Sequence, residues 1–400
     1  MRLSILRSCA AALLLLASVG TAAGQGLLAV QNYSADFRSD QPLTWSFVML
    51  SGYDNYDFKI EVPPFVQDID SYFIQGGVGV TYTDADKTTP WSTAVDFNVI
   101  HYLEGASRFD DVFINARVAF NLAHSFSERL RIANNFYIAH EVEPNLAAGA
   151  STVLFNGEYL YGFNNFNVSY AWSKRFSTVT SYTIDGVFYD DSTVSTLEDR
   201  LSHLVSQQFV YQVSKRTSAV AEYRYRRVDY QNRDDVDYQS HFALAGVDHA
   251  WSERLTGSVR AGAEFFQSDR SEQVAPYAET ALEYAAARDT QVRWFAALGF
   301  DAAEIGAFNS RYSARTGVNV NHQVNKRFRV NGGASYVYSV FDQAAGDVVE
   351  NSVLLSAGIG YQLWENVGLD AMYSFSVLQS DDPTRDFDRH RVTLGLNASF

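Results

Sequence analysis

Apolar and polar residues alternate along most of this chain with a period of two. His390–Phe400 is the cleanest stretch: Val392, Leu394, Leu396, Ala398 and Phe400 interleave with Arg391, Thr393, Gly395, Asn397 and Ser399. Successive side chains of a strand point to opposite faces, so this spacing gives one apolar face and one polar face. The alternation predicts strands near 43–51, 71–83, 92–103, 112–125, 130–140, 159–172, 176–188, 199–213, 217–228 and 238–251. It continues through 255–267, 277–286, 290–300, 310–324, 328–341, 352–363, 367–378 and 389–400. That makes eighteen strands, or sixteen without the first two. Either number is even, so the last strand can pair antiparallel with the first. An open sheet of this size would leave edges that lipid cannot satisfy. The expected fold is therefore all-β: a closed antiparallel transmembrane β-barrel over residues 43–400.

The connections repeat as well. FSERL at 126–130, WSKRF at 172–176, VSKRT at 213–217, WSERL at 251–255, AARDT at 286–290, VNKRF at 324–328 and LWENV at 363–367 resemble one another. Their second residues are spaced 35 to 46 apart, and each segment reads as a tight polar turn. Between them lie longer acidic connections, such as Asp190-Asp191 and Asp234-Asp235. Short turns on one side and longer loops on the other is the asymmetry of outer-membrane barrels, with the turns periplasmic. A propeller blade would fit four short strands into such a period, whereas each period here holds two long ones.

Three residues before each turn's second residue stand His124, Tyr170, Tyr211, His249, Tyr284, His322 and Tyr361. Rings with a polar edge at one recurrent depth predict a membrane-interface girdle rather than a histidine metal site. Lipid-facing stripes continue beyond it, for example Phe328, Val330, Ala334, Tyr336, Tyr338 and Val340. The opposite parity supplies the candidate pore lining. Its cations are Arg117, Arg131, Arg200, Arg224, Arg226, Arg260, Arg293, Arg311, Arg315, Arg329 and Arg391. Its acids include Glu222, Glu264, Glu279, Glu283 and Asp370, among Ser, Thr, Asn, Gln and Gly. Charges this frequent are costly to bury dry, so water is expected in the lumen. Two roles are open for the arginines: a basic ladder that favours anions, or pairing with lumen carboxylates that stiffens the wall.

Composition narrows the field. Residues 1–24 read as a cleaved signal peptide: a basic start, an apolar run from Ala10 to Val19, and small residues near Ala23 and Gly24. Residues 25–42 then form a short periplasmic segment. The single cysteine, Cys9, falls within the leader, so the remaining chain has no thiol chemistry. Without Arg2 and Arg7, 29 basic residues face 46 acidic ones, a net charge of −17, which argues against nucleic acid. Mean hydropathy is −0.16, with no stretch long enough for a membrane helix, as expected when lipid-facing and lumen-facing residues alternate.

The Ser-Lys-Arg type turns, the Gly52-Tyr53-Asp54-Asn55 stretch at the end of the first strand and the terminal Phe400 resemble Gram-negative outer-membrane porins, most closely the β-barrel porin type 2 group. The resemblance implies passive diffusion of small hydrophilic solutes through a pore, in outer-membrane lipid and lipopolysaccharide. It also implies Phe400 as the signal read by the barrel-assembly machinery, and admits a homo-oligomer. No catalytic residues, metal or cofactor are implied. Ser202 and His203 are adjacent, so they point to opposite faces and form no catalytic pair. A plugged transporter would need an N-terminal plug domain, for which the segment before Leu43 is too short. A structural or adhesion barrel working through acidic outer loops is the remaining alternative.

Overall fold

The computed structural model describes residues 42–60, 68–103, 111–142, 158–287, 289–301, 308–343 and 346–400. The leader expected at 1–24 lies outside them, as does nearly all of the segment expected at 25–42. Eighteen strands run in chain order: β1 (Leu43–Phe58), β2 (Ile69–Asp84), β3 (Trp91–Tyr102), β4 (Val112–Ser125), β5 (Leu130–Val142) and β6 (Glu158–Ala171). Next come β7 (Phe176–Tyr189), β8 (Arg200–Ser214), β9 (Thr217–Tyr230), β10 (Tyr238–Ala250), β11 (Leu255–Ser268) and β12 (Glu272–Ala287). The last six are β13 (Thr290–Asp301), β14 (Ser310–Gln323), β15 (Phe328–Asp342), β16 (Val348–Trp364), β17 (Val367–Ser380) and β18 (Phe387–Ser399). Each pairs antiparallel with its chain neighbours, and β1 pairs with β18 from Ser46↔Ser399 to Phe58↔Phe387. The sheet is a closed cylinder, as the alternation predicts.

Four of the seven repeated turns have a common cause; Ala287 and Trp364 hold the same place in two others and offer no such acceptor. Ser127 Oγ accepts the Arg129 and Leu130 N–H groups, and Ser173, Ser252 and Asn325 do the same two and three residues ahead. The side chain satisfies donors that a two-to-four-residue reversal would leave open, which fixes a small polar residue at that place.

Three strands outrun their expected bounds by more than two residues, β12 and β16 at their starts and β1 at its end, and one connection holds a helix. β1 continues to Phe58, seven residues beyond its predicted end, because Tyr53 to Tyr56 pair with both β2 and β18, and Asp57 and Phe58 pair on with β18. The Gly52–Asn55 stretch is thus strand interior rather than strand end. A Cβ at Gly52 would stand 2.3 Å from the Val392 carbonyl oxygen and 2.6 Å from the Phe73 ring, so glycine there lets the aromatic cross the seam. The β7–β8 connection, expected as an irregular acidic loop, contains a short helix, α1 (Ser192–Glu198). Asp191 caps it by accepting the Thr193 and Val194 N–H groups.

Outward faces carry the exposed apolar residues, including Met49, Tyr72, Val259, Leu355, Tyr373 and Leu394. The inward face departs from the polar lining expected for it at the loop end of the cylinder. Three aromatic clusters fill space there: Tyr56, Phe58, Phe73, Tyr102, Phe113 and Phe387; Tyr230, Tyr238, Phe266 and Phe300; and Tyr159, Tyr161 and Phe163. The water expected in the lumen therefore has less room at that end. Aromatics narrow the loop end, while polar side chains line the turn end.

Candidate functional site: the inward wall

A cavity of about 510 Å³ runs along the inner faces of β5 to β14. At the turn end it reaches Ser173, Lys174 and Arg175; at the loop end it reaches Tyr159, Tyr189 and Arg200. One wall is mostly uncharged, built from Asn165, Asn167, Ser181, Thr183, Ser202, Ser206 and Gln208, with Arg131, Asp185 and Arg200 the charged exceptions. The facing wall carries Glu222, Arg224, Arg226, Asp248, Arg260, Glu279, Asp301 and Arg315.

Period-two geometry places these groups. Glu222, Arg224 and Arg226 share one face of β9, and Arg260 and Glu279 are directly opposed on β11 and β12. Arg224 lies 2.6 Å from Glu222 and 2.5 Å from Glu279, with Tyr277 donating its hydroxyl to Glu279 at 2.7 Å. Arg260 pairs with Asp248 at 2.7 Å and approaches Glu222 at 3.8 Å. Arg315 meets Asp301 at 3.3 Å, Arg329 meets Asp370 at 2.9 Å, and Arg293 meets Glu283 at 3.5 Å. Arg200 lies 3.7 Å from Glu198 at the end of α1. At the seam, fully buried Asp54 accepts from Arg389 and lies 3.8 Å from Arg391.

The remaining candidates are held differently. Arg226 lies over the Phe242 ring and donates to the Phe300 carbonyl. Arg311 donates to Ser339 and stacks on Phe341. Arg117 covers the Tyr137 ring at 4.4 Å and stands opposite Asp96. Glu264 is fully buried and accepts the Phe300 N–H at 2.9 Å, and Arg131 lines the cavity. Sequence reading passed over Asp54, Asp248, Asp301 and Arg385. Arg385 is buried at the β17–β18 connection, where it pairs with Glu350 and lies over Phe308 and Phe341. Inward parity exposes the first three in retrospect; Arg385 lies in a loop, where parity has no meaning.

On the outward face, the predicted ring positions stand in one band at the turn ends. His124, His249 and His322 each bond through Nδ1 to a threonine hydroxyl, of Thr89, Thr217 and Thr290, at 2.7 to 2.9 Å. Tyr170 packs on Trp172 with centroids 4.6 Å apart, and Tyr211, Tyr284 and Tyr361 are exposed. A second band at the loop ends was not anticipated: Tyr182, Tyr223 and Tyr373 bond the Nδ1 atoms of His203, His241 and His390. Ser202 lines the cavity while His203 pairs on the outside, as their adjacency requires.

The donor atoms of His140, Glu158 and Asp190 converge within 4.8 Å, a grouping able to hold a cation. His140 already engages Asp190 through Nε2 and the Ile114 carbonyl through Nδ1, and Glu158 accepts the Ile114 N–H, so the cluster is internally satisfied.

Residues 211–400 match the family described as "Putative beta-barrel porin 2". That stretch spans the end of β8 through β18 and contains five of the seven repeated turns. No curated protein matches the chain. Among solved structures, the fold is similar to OpdK of Pseudomonas aeruginosa, crystallised with vanillate, at 12% identity and a TM-score of 0.48. That superposition covers 90% of this chain and 99% of the other. OccAB4 of Acinetobacter baumannii superposes at 11% identity and a TM-score of 0.47, covering 90% and 99%. A BenF-like porin of Pseudomonas fluorescens does so at 10% identity and 0.47, also covering 90% and 99%.

Proposed function

We propose, from the premise of a porin-like barrel in a Gram-negative outer membrane, that this protein is a passive channel for small hydrophilic solutes. The observation that carries the reading is the inward cavity, which extends from the turn at Ser173–Arg175 to Arg200 near the loop end. Closure of β1 on β18 supplies a wall that lipid tolerates, and the polar inner face supplies a path that water tolerates.

The wall sorts solutes weakly by charge. Arg224, Arg260, Arg315 and Arg329 each have a carboxylate within 3.5 Å, which supports the pairing role over the basic ladder. A paired guanidinium presents little net field to a passing ion, whereas a selectivity ring needs uncompensated charge. The arginines are then structural partners that hold the cylinder open, with neutral amides and hydroxyls opposite them.

Detergent-refolded protein in planar bilayers tests this. Stepwise ohmic conductance is the expected result, with a reversal potential close to zero in a salt gradient. Arg224→Gln leaves Glu222 and Glu279 with one cation fewer and moves the reversal potential toward cation preference. Strong anion preference in the wild type, lost in that variant, would establish the ladder instead. Absence of conductance in folded, heat-modifiable protein would transfer the role to the acidic outer loops.

A further inference from the structure

Lysine and arginine are distributed unevenly over the two faces of this barrel. The described strands contain thirteen arginines and no lysine, and twelve of those arginines share the inward parity of the cavity lining. Arg227 is the exception. It shares the outward parity of Tyr223 on β9, and its side chain is 57% exposed. A cation on the lipid face is expensive at the midplane and tolerable near an interface, where it marks a site by default. Arg227 lies three residues from the loop end of β9, at headgroup depth of the outer leaflet.

Its surroundings form a compact outward patch. His203 of β8 stands directly opposite Arg227, and His241 of β10 stands opposite Tyr225. The Tyr182 and Tyr223 hydroxyls each occupy an imidazole Nδ1 at 2.7 Å, leaving Nε2 of both rings without a partner among the described residues. Asp229 takes only the Nε of Arg227, at 2.7 Å, so no described residue bonds its two Nη groups. Below the patch the same face continues as Val205, Phe209 and Tyr211 on β8, with Gln207 between them satisfied by the Thr180 hydroxyl and the Val179 carbonyl. From residue 203 to 209 is about 20 Å of strand, shortened by tilt to the depth of one leaflet of acyl chain.

We infer that the outward wall of β8–β10 binds one phosphorylated lipid of the outer leaflet. Arg227 Nη atoms meet the phosphate, the Nε2 edges of His203 and His241 flank it, and the apolar stripe takes the tails. Guanidinium and imidazole donors suit a phosphate because charge-assisted hydrogen bonds are strong and the fork geometry is matched. Tyr182, Tyr223 and Tyr225 supply amphipathic rings at the level where a headgroup meets its chains. The inference rests on the outer-membrane placement but is independent of what passes through the lumen.

Native mass spectrometry of the refolded full chain, incubated with bis-phosphorylated lipid A, dephosphorylated lipid A or inorganic phosphate, tests it. Retention of the phosphorylated lipid is expected, with about tenfold weaker binding in Arg227→Gln and about threefold in His203→Gln or His241→Gln. Arg227→Lys should recover part of the loss. Unchanged channel conductance in these variants certifies the barrel and keeps this test separate from the test of transport. Equal retention of phosphorylated and dephosphorylated lipid, equal binding by Arg227→Gln, or capture of inorganic phosphate alone would each overturn the assignment.

Discussion

At the scale of single residues, small polar side chains set where strands reverse. Ser252 Oγ accepts the N–H groups of Arg254 and Leu255, and no other protein acceptor replaces it after truncation. Ser252→Ala should cost about 1 kcal/mol, read as a lower urea midpoint in vesicle-refolded protein, while Ser252→Asn should be close to neutral because Asn325 fills the same role. Asp86, in the β2–β3 turn, accepts the N–H groups of Thr88 and Thr89, which hold its carboxyl below the usual range. A lowered folded value means that its contribution is complete above the ordinary carboxylate pKa and fades as pH falls through the depressed one. The Thr89 amide shift should accordingly titrate with a midpoint below about 3.9. The turns were legible in the sequence because their hydrogen bonds are local. The ion partners were less so: Asp54 and Arg389 are 335 residues apart, and no nearby pattern announces their meeting.

At the scale of strands, alternation located all eighteen elements, mostly within two residues of their ends. It failed where polarity and strand geometry disagree. Tyr53-Asp54-Asn55 reads as a turn, yet Asp54 is buried against the seam and the strand runs on to Phe58. The inward aromatics of the loop ends share parity with the lumen, so the signal was present. Parity alone gives no polarity gradient along a strand, and Tyr56, Phe73, Tyr102 and Phe387 make the lumen aromatic at one end. The seam supplies a strong prediction. Asp54→Ala leaves Arg389 and Arg391 without their shared carboxylate, and losing one partner of a buried pair costs about 3–5 kcal/mol. The heat-induced mobility shift should fall by several degrees, and Asp54→Ala with Arg389→Ala should cost less than the sum of the single variants. Additive effects would deny the pair any role in holding β1 to β18.

At the scale of the whole molecule, the cylinder separates two solvents, so a substitution is judged by the face it falls on. Leu355 faces outward near the middle of β16, and Ser356 beside it faces the lumen. Leu355→Arg should destabilise by about 2–4 kcal/mol in lipid-based unfolding, whereas Ser356→Arg should change conductance with little loss of stability. Fold and closure followed from parity and an even strand count. The pore's narrowing did not, because it depends on how side chains from distant strands meet inside the ring.

The matched charges of the inner wall carry one more consequence. A pipe in which most fixed cations sit within hydrogen-bond reach of an anion gathers only a thin standing cloud of counterions. Current through it should therefore rise in proportion to bulk electrolyte, from dilute to concentrated, without the plateau that a one-signed tunnel shows at low salt.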